Sequence, residues 1–426
     1  MKNEPTRAAI IGMGGFARTH HRCVLDLENT GEARLAATCD PALERFDVNE
    51  PIYDFARRGT ATFHDYREML AAVGEKLDVV HVPTPIHLHA EMHAACVERG
   101  IPCFLEKPPT LDPAEMDRML ACEAGARRPT QVGFHMVAES ARRRLRERMV
   151  AGEFGAVRDV RVLVLWPRSD AYYARADWAG RLLRDGRLLL DSCIGNAASH
   201  FLHNALLWCG AGAPLAWAAP ARVAAELYRG RAEIEGPDAV FAAATTDSGI
   251  SLRLAVAHAC APADHRQMET VECERARIVY RNPQNVVIEW RDGRREVVAD
   301  LSLREQPHTE GIRAYYRHLR GEAERPLTRL IESKPFVDLH ALIYVAAGRI
   351  APVPKAQTRR APLKNDPKDL VCAVDGLSEI AERICATGEF PSAQGVAWAQ
   401  PGGSAGPADM PRLAATVARM AEERKT

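Results

Sequence analysis

Two charged residues follow a short apolar run where small, neutral turn formers would be usual: Glu106 and Lys107, then Pro108 and Pro109, directly after Ile101–Leu105. A lysine at a strand end can lend its charge to an oxygen that becomes an alkoxide as a hydride leaves the neighbouring carbon. The two prolines stiffen the segment behind it. On spacing alone, a surface lysine on an ordinary turn explains the pattern equally well. A second stretch raises the first reading. Gly12-Met13-Gly14-Gly15-Phe16-Ala17 follows an apolar run at Ala8–Ile11 and opens a helical stretch, and it fits G-x-G-x-x-A. In that pattern Gly12 makes a tight turn, Gly14 lets a pyrophosphate approach the backbone, and Ala17 allows close helix-to-strand packing, with Gly15 and Phe16 in the same loop. Asp40 ends the next apolar run, Leu35–Cys39, where a carboxylate accepts from an adenosine ribose and repels a 2′-phosphate. The set predicts NAD rather than NADP, with Arg45 nearby as the feature that favours the phosphorylated form.

These groups need a scaffold that brings loops to one edge. Asp78–Val82 is a further apolar run, a helix is expected over about 87–98 closed by Gly100, and Asp112, Pro113 and Glu115 form a capped helix start. Continuous apolar strands alternating with helices predict a doubly wound parallel sheet over residues 1–131. Ligands bind such sheets outside the carboxyl ends of the strands. Pro83-Thr84-Pro85-Ile86-His87 and Glu106-Lys107-Pro108 both fall there, so Thr84, Pro85, His87, Glu106 and Lys107 join the expected cofactor site. Beyond about Thr130 the strands lengthen and alternate, as in Asp159–Leu165 and Gly249–Ala257, which predicts a second domain over 132–355 on a largely antiparallel, one-sided sheet. Residues 356–426 read as an extension, with Gln400–Pro407 as a linker. Met410, Leu413, Val417 and Met420 then mark a short amphipathic helix.

Composition narrows the function classes. The chain has 426 residues, 47% hydrophobic, enough for two cores. Lys+Arg and Asp+Glu are 56 each, so no basic field favours nucleic acid or an anionic membrane. The opening residues show no leader pattern, and no apolar run reaches the ~20 residues of a bilayer span, so a soluble cytoplasmic protein is expected. Eleven scattered cysteines without a Cys-x-x-Cys pair point to reduced thiols.

Gly12–Ala17, the Thr84-Pro85-x-His87-x-His89 stretch and Glu106-Lys107-Pro108, in this order and spacing, resemble the Gfo/Idh/MocA oxidoreductase family. The resemblance implies a nicotinamide-binding Rossmann domain followed by an α+β domain with an open, mainly antiparallel sheet. It also implies oxidation or reduction of a sugar, cyclitol or related polyol, and assembly as a homo-oligomer, dimer or tetramer. The family places an Asp and a His four apart, facing the lysine. Here Asp191 and His200 match those roles at a spacing of nine, and His203 stands where the family often has Asp. On that basis Lys107 is the electrostatic partner, His200 the acid/base and Asp191 the substrate anchor or histidine orienter. Asn196, inside the Ser192–Ser199 segment that widens this spacing, and His203 are candidate substrate contacts; a packing role suits His203 equally. Two alternatives stay open: elimination or glycoside cleavage through transient oxidation, and a non-catalytic NAD-binding sensor.

Trp166–Gly180 interleaves Trp166, Tyr172, Tyr173 and Trp178 with Arg168, Arg175 and Asp177. That mixture suits a sugar ring, with Arg168 and Trp178 as the picks, or a subunit contact. His87, His89 and His93 lack a completing carboxylate or cysteine, so no metal is expected. Arg142–Arg148 reads as a solvated basic helix face.

Overall fold

The computed structural model describes residues 4–47, 50–301, 306–363 and 365–424. The chain divides into two units, Met1–Arg142 with Gln306–Lys334, and Arg143–Glu305 with Pro335–Thr426.

In the first unit, β1 (Thr6–Ile11), β2 (Ala33–Cys39), β3 (Ala61–Phe63), β4 (Val79–Val82), β5 (Cys103–Leu105) and β6 (Gln131–Val132) form one sheet in the order β3-β2-β1-β4-β5-β6. All its pairings are parallel. Ala8, Ile10, Leu35 and Val79 are wholly buried, which is why these strands read as unbroken apolar runs. The order reverses between β1 and β4, and the loops after those two strands meet: a Cβ on Gly12 would lie 3.9 Å from Thr84 Cγ2. The helices α1 (Ala17–Asn29), α2 (Phe55–Arg58), α3 (Tyr66–Val73), α4 (His89–Glu98) and α5 (Pro113–Glu123) connect the strands. Asp112 caps α5 by accepting from the Ala114 N–H at 2.9 Å, as its sequence predicts. A later helix, Pro307–Leu319, adds Ile312, Tyr315 and Tyr316 to the same core as Val24, Leu27 and Phe104.

The second unit is built on a mixed, mainly antiparallel sheet. Its strands are β7 (Val157–Leu165), then a small hairpin of β8 (Leu183–Arg184) and β9 (Arg187–Leu188) outside the sheet, then β10 (Pro220–Arg229), β11 (Ala239–Thr246), β12 (Ser251–Ala257), β13 (Arg266–Cys273), β14 (Ala276–Asn282), β15 (Asn285–Trp290), β16 (Arg295–Asp300) and β17 (Ala351–Pro352). The order is β16-β15-β14-β13-β7-β12-β11-β10-β17, with β7 parallel to β12 and antiparallel to β13. A one-sided sheet is not what forms at its centre. The helix Ser199–Cys209 packs on β7 and β13, while Leu163, Leu165, Ala255 and Ala257 pack against Leu377, Ile380, Ala381 and Ile384 of the helix Leu377–Thr387. The second cover comes from residues more than a hundred positions downstream, which strand alternation cannot reveal.

Two further readings change. Gln400–Pro407 is no linker: Ser404 and Ala405 pair with Ala224 and Val223 of β10, and a Cβ on Gly402 would overlap the Ala225 carbonyl, so glycine allows this close docking. The helix that follows, Leu413–Glu423, buries Leu413, Val417 and Met420 as their spacing predicts. The basic helix Ser140–Val150 is not merely solvated either. Arg142 donates to Met136 O at 3.1 Å and to Glu139 Oε2 at 3.1 Å. Arg146 is buried and donates to the Gly210, Ala213 and Pro214 carbonyls at 3.1, 3.0 and 3.1 Å. Burial pushes its guanidinium down to about 10. The cysteines are free thiols, all buried except Cys122, which is partly exposed. Among the described residues no helix is long and apolar enough to cross a membrane.

Arg146 closes the carboxyl end of the helix that carries His200 and His203, so Arg146→Ala should lower the melting temperature by at least ~4 °C while exposed Arg144→Ala changes it by less than ~1 °C, measured by thermal unfolding. A pH effect also follows. Burial pushes the imidazoles of His21 and His340 down to about 3 and those of His93 and His308 down to about 4. Their folded values lie below the unfolded one, so the stability they contribute is complete above pH ~6.5 and is lost as pH falls towards 4, when only the unfolded chain takes up protons. The melting temperature should therefore drop by more than ~5 °C between pH 7 and pH 5.

Candidate functional site

The loop after β1 has the geometry a dinucleotide phosphate requires. Gly12 sits at φ +100° and Gly15 at φ +55°, backbone conformations that favour glycine. The Gly12 N–H donates to Cys39 O at 2.7 Å, and a Cβ on Gly12 would lie 3.5 Å from the Ala17 Cβ, so strand end and helix start are close-packed. Phe16 is the N-cap residue of α1 and makes no side-chain cap; the Ala17 and Thr19 N–H groups donate to Gly14 O and Phe16 O at 3.1 and 2.9 Å, and the positive end of the helix dipole faces the loop. Gly14 faces the Phe46 ring, which a Cβ would approach to 3.2 Å. Asp40 holds the loop from the next strand: Oδ2 accepts from the Met13 N–H at 3.0 Å and Oδ1 from the Ala42 N–H at 2.9 Å. Each oxygen keeps a lone pair, so the carboxylate can also take a ribose hydroxyl. Left-handed glycines, an uncapped helix start and a strand-end carboxylate are the donor and acceptor set of a dinucleotide site, and the residues fit that group.

The segments after β4 and β5 are joined by a side chain that the sequence reading set aside. His89 is buried, with Nε2 2.8 Å from Thr84 O and Nδ1 3.0 Å from Pro108 O, so one ring ties the Thr84-Pro85 turn to the Glu106-Lys107-Pro108 segment. His93 contacts Thr130 Oγ1 through Nε2 at 2.9 Å. Both rings are therefore engaged by the fold, while His87 is partly exposed in the short 3-10 turn Ile86–Leu88 that precedes α4.

Glu106 is only 6% exposed. Its Oε1 lies 3.1 Å from His20 Nε2, and its Oε2 accepts from the Lys107 backbone N–H at 3.0 Å. Burial alone would push this carboxyl up, but the His20 hydrogen bond and the charges of His20, Lys107 and His308 outweigh it and hold Glu106 below the usual carboxylate range. Lys107 is partly buried, and its charge adds to the burial that lowers His135 and His308. Those two rings stack with centroids 3.6 Å apart, and Phe16 packs on His308 at 5.5 Å. His20, His81, His135 and His308 were all missed from sequence. Two carried a signal: His20 shares a helix face with Val24 and Leu27 at i+4 and i+7, and His81 interrupts the otherwise apolar β4.

In the second unit, Asp191 and Asn196 are brought together. Asp191 follows Leu190, which sits at φ +53°, and its Oδ2 accepts from the Gly180 N–H at 2.6 Å while its Oδ1 accepts from Asn196 Nδ2 at 3.1 Å. Arg175 stands 3.6 Å from the same carboxylate. The aromatic and arginine residues before it stack alternately. Arg168 lies 4.0 Å from the Trp166 centroid and 4.7 Å from that of Tyr172, and Arg175 lies 3.9 Å from Tyr172 and 4.7 Å from Trp178. His200 and His203 are buried on the helix Ser199–Cys209, whose every residue is buried, with the His203 ring 4.9 Å from Trp217. Glu269 anchors this helix by accepting from Asn204 Nδ2 at 3.2 Å and from Trp208 Nε1.

Residues 6–134 match the family model described as an oxidoreductase family with an NAD-binding Rossmann fold, Gfo/Idh/MocA. Over 157 residues the chain is 29% identical to D-glucoside 3-dehydrogenase of Escherichia coli strain K12, which covers 37% of this chain and 42% of that protein. Over 160 residues it is 30% identical to inositol 2-dehydrogenase 4 of Saccharopolyspora erythraea, covering 36% of this chain and 44% of the relative. The matches thus span less than half the length of these curated relatives. The WlbA dehydrogenase from Bordetella pertussis, solved in complex with NADH and UDP-GlcNAcA, shares the fold with a TM-score of 0.64 at 21% identity, over 81% of this chain and 96% of that one. The likeness to the Gfo/Idh/MocA oxidoreductase family is thus a match of the N-terminal residues 6–134.

Proposed function

We propose that the protein is an NAD-dependent oxidoreductase that transfers a hydride between the nicotinamide and a CH–OH group of a sugar, cyclitol or related polyol. The observation that carries this reading is the pinning of Glu106 against the Lys107 backbone N–H, which fixes the lysine at the strand edge that also presents the phosphate-binding loop. The likeness to a glucoside dehydrogenase and to inositol dehydrogenases supports the substrate class.

Gly12, Gly14, Gly15, Phe16 and Ala17 would hold the pyrophosphate, Asp40 the adenosine ribose, and Thr84, Pro85, His87 and Glu106 the rim of the nicotinamide pocket. When bound, the nicotinamide supplies the two-electron acceptor or donor. Lys107 stabilises the negative charge that develops on the substrate oxygen, His200 takes or returns its proton, and Asp191 anchors the substrate or orients the histidine. Oriented acid/base help of this kind is typically worth ~10²- to 10⁴-fold. Arg168, Trp178, Asn196 and His203 are the substrate contacts in this reading. Trp178 ends the stacked ladder, and an aromatic face there suits a sugar ring. A cytoplasmic homo-oligomer is part of the same proposal and rests on the resemblance alone.

The test begins with a screen of sugars and cyclitols for NAD reduction. Against the substrate it finds, Lys107→Ala should lower turnover at least ~10²-fold while the NAD dissociation constant moves less than ~3-fold. Parallel loss of cofactor binding and turnover would make the lysine structural and sink the assignment.

A further inference from the structure

Behind Lys107 a line of buried polar groups runs into the first unit. His81 Nε2 lies 2.8 Å from Tyr316 Oη, His81 Nδ1 lies 3.0 Å from His20 Nδ1, and His20 Nε2 lies 3.1 Å from Glu106 Oε1. Glu106 Oε2 accepts from the Lys107 N–H at 3.0 Å. All four side chains are buried: Tyr316 and His81 are 0% exposed, His20 2% and Glu106 6%. The line draws on four segments, α1, β4, the end of β5 and the helix Pro307–Leu319.

The chemistry of the groups restricts where the protons sit. An ionised carboxylate only accepts, so His20 Nε2 must carry hydrogen. Two Nδ1 atoms face each other, so one of them carries hydrogen and the other does not. With His20 neutral, its Nδ1 accepts from His81 Nδ1–H, and His81 Nε2 accepts from the Tyr316 hydroxyl; every donor then points towards Glu106. When His20 takes up a proton, its Nδ1 becomes the donor, His81 must accept there, and His81 Nε2–H turns to donate to Tyr316. One proton gained therefore reverses the His20–His81 and His81–Tyr316 bonds and leaves the two bonds to Glu106 as they were.

We propose that His20 is a positioning residue for Lys107, acting through Glu106, and that His81 switches tautomer in concert with the protonation of His20. Apart from its hydrogen-bond partners, the titratable groups around His20 are His21 on its own helix, Lys107 beyond Glu106 and His308 on Pro307–Leu319. The kinetic part rests on the role proposed for Lys107; the tautomer part does not. A Cβ on Gly133 would sit 2.5 Å from Glu106 Oε1, so the absence of a side chain at Gly133 is what leaves this carboxylate its place beside His20.

Two measurements test this. In protein labelled with 15N-histidine, with His81 assigned from its loss in His81→Gln, the neutral ring should be the Nδ1–H tautomer at high pH and convert to Nε2–H in step with the titration of His20. An Nε2–H tautomer at every pH, or independent changes in the two rings, would overturn the proposal. In turnover, His20→Ala should lower kcat at least ~10-fold with the NAD dissociation constant within ~3-fold of wild type. His20→Gln, whose amide can still donate to Glu106, should recover most of kcat and lose the pH-dependent limb that His20 imposes. If Lys107→Ala abolishes turnover while His20→Ala leaves kcat and its pH profile unchanged, the positioning role is wrong although the proposed reaction stands. If Lys107→Ala has no effect, it is the proposed reaction that fails, and the tautomer result still decides the linkage between His20 and His81. Should His20→Ala fail to fold, a wild-type pH profile in His20→Gln overturns the role.

Discussion

The Glu106 carboxylate accepts one hydrogen bond from His20 and one from the peptide of the residue that follows it, and it stays charged in a place water hardly reaches. A buried carboxylate without partners is expelled or neutralised, and leaving one buried polar group unpaired costs about 1–3 kcal/mol. Here the partners come from both ends of the problem. His20 belongs to the helix that begins at the glycine loop after β1, and the Lys107 amide belongs to the segment that carries the ammonium. One carboxylate thus ties the helix after the glycine loop to the lysine's backbone. His89 does the same between the neighbouring segments, holding the carbonyls of Thr84 and Pro108.

The second unit relies on polar groups in a similar way. The helix Ser199–Cys209 is buried all round, so hydrophobic packing alone would leave its rotation weakly specified. Glu269 fixes its side through Asn204 and Trp208, and Arg146 fixes its end through three carbonyls. Asp191 is held by Gly180 and Asn196 before the helix begins. The backbone turn at Leu190, with φ +53°, sits immediately before that carboxylate.

Much of this arrangement was legible in the sequence because it is local. Runs such as Ala8–Ile11 and Val79–Val82 are buried on both faces, so they show as unbroken apolar stretches, and the glycine pattern after the first follows from backbone angles that a side chain disfavours. The charges after Leu105 stood out in the same way, and Glu106 is buried there with His20 and the Lys107 amide as partners. What escaped notice depends on contacts far along the chain. Arg146 looks like one more solvated arginine until the carbonyls 64 to 68 positions later arrive beside it. β3 and β6 span three and two residues, too short for any period to show. The linker reading of Gln400–Pro407 failed because glycines that loosen an isolated chain also permit the closest docking of one strand on another. His81 is different: a histidine inside Val79–Val82 was a visible anomaly whose partner, Tyr316, lies 235 positions away.

The central claim is that the strand edge aims the Lys107 ammonium at a substrate oxygen over the reactive face of the nicotinamide. A crystal structure of the protein with NAD bound tests this most directly. Nζ should lie beside the nicotinamide ring and within hydrogen-bond reach of a hydroxyl placed over the hydride-accepting carbon, with Glu106 still bonded to His20 and to the Lys107 amide. A dinucleotide seated on Gly12–Ala17 with the amine turned into bulk solvent would contradict it.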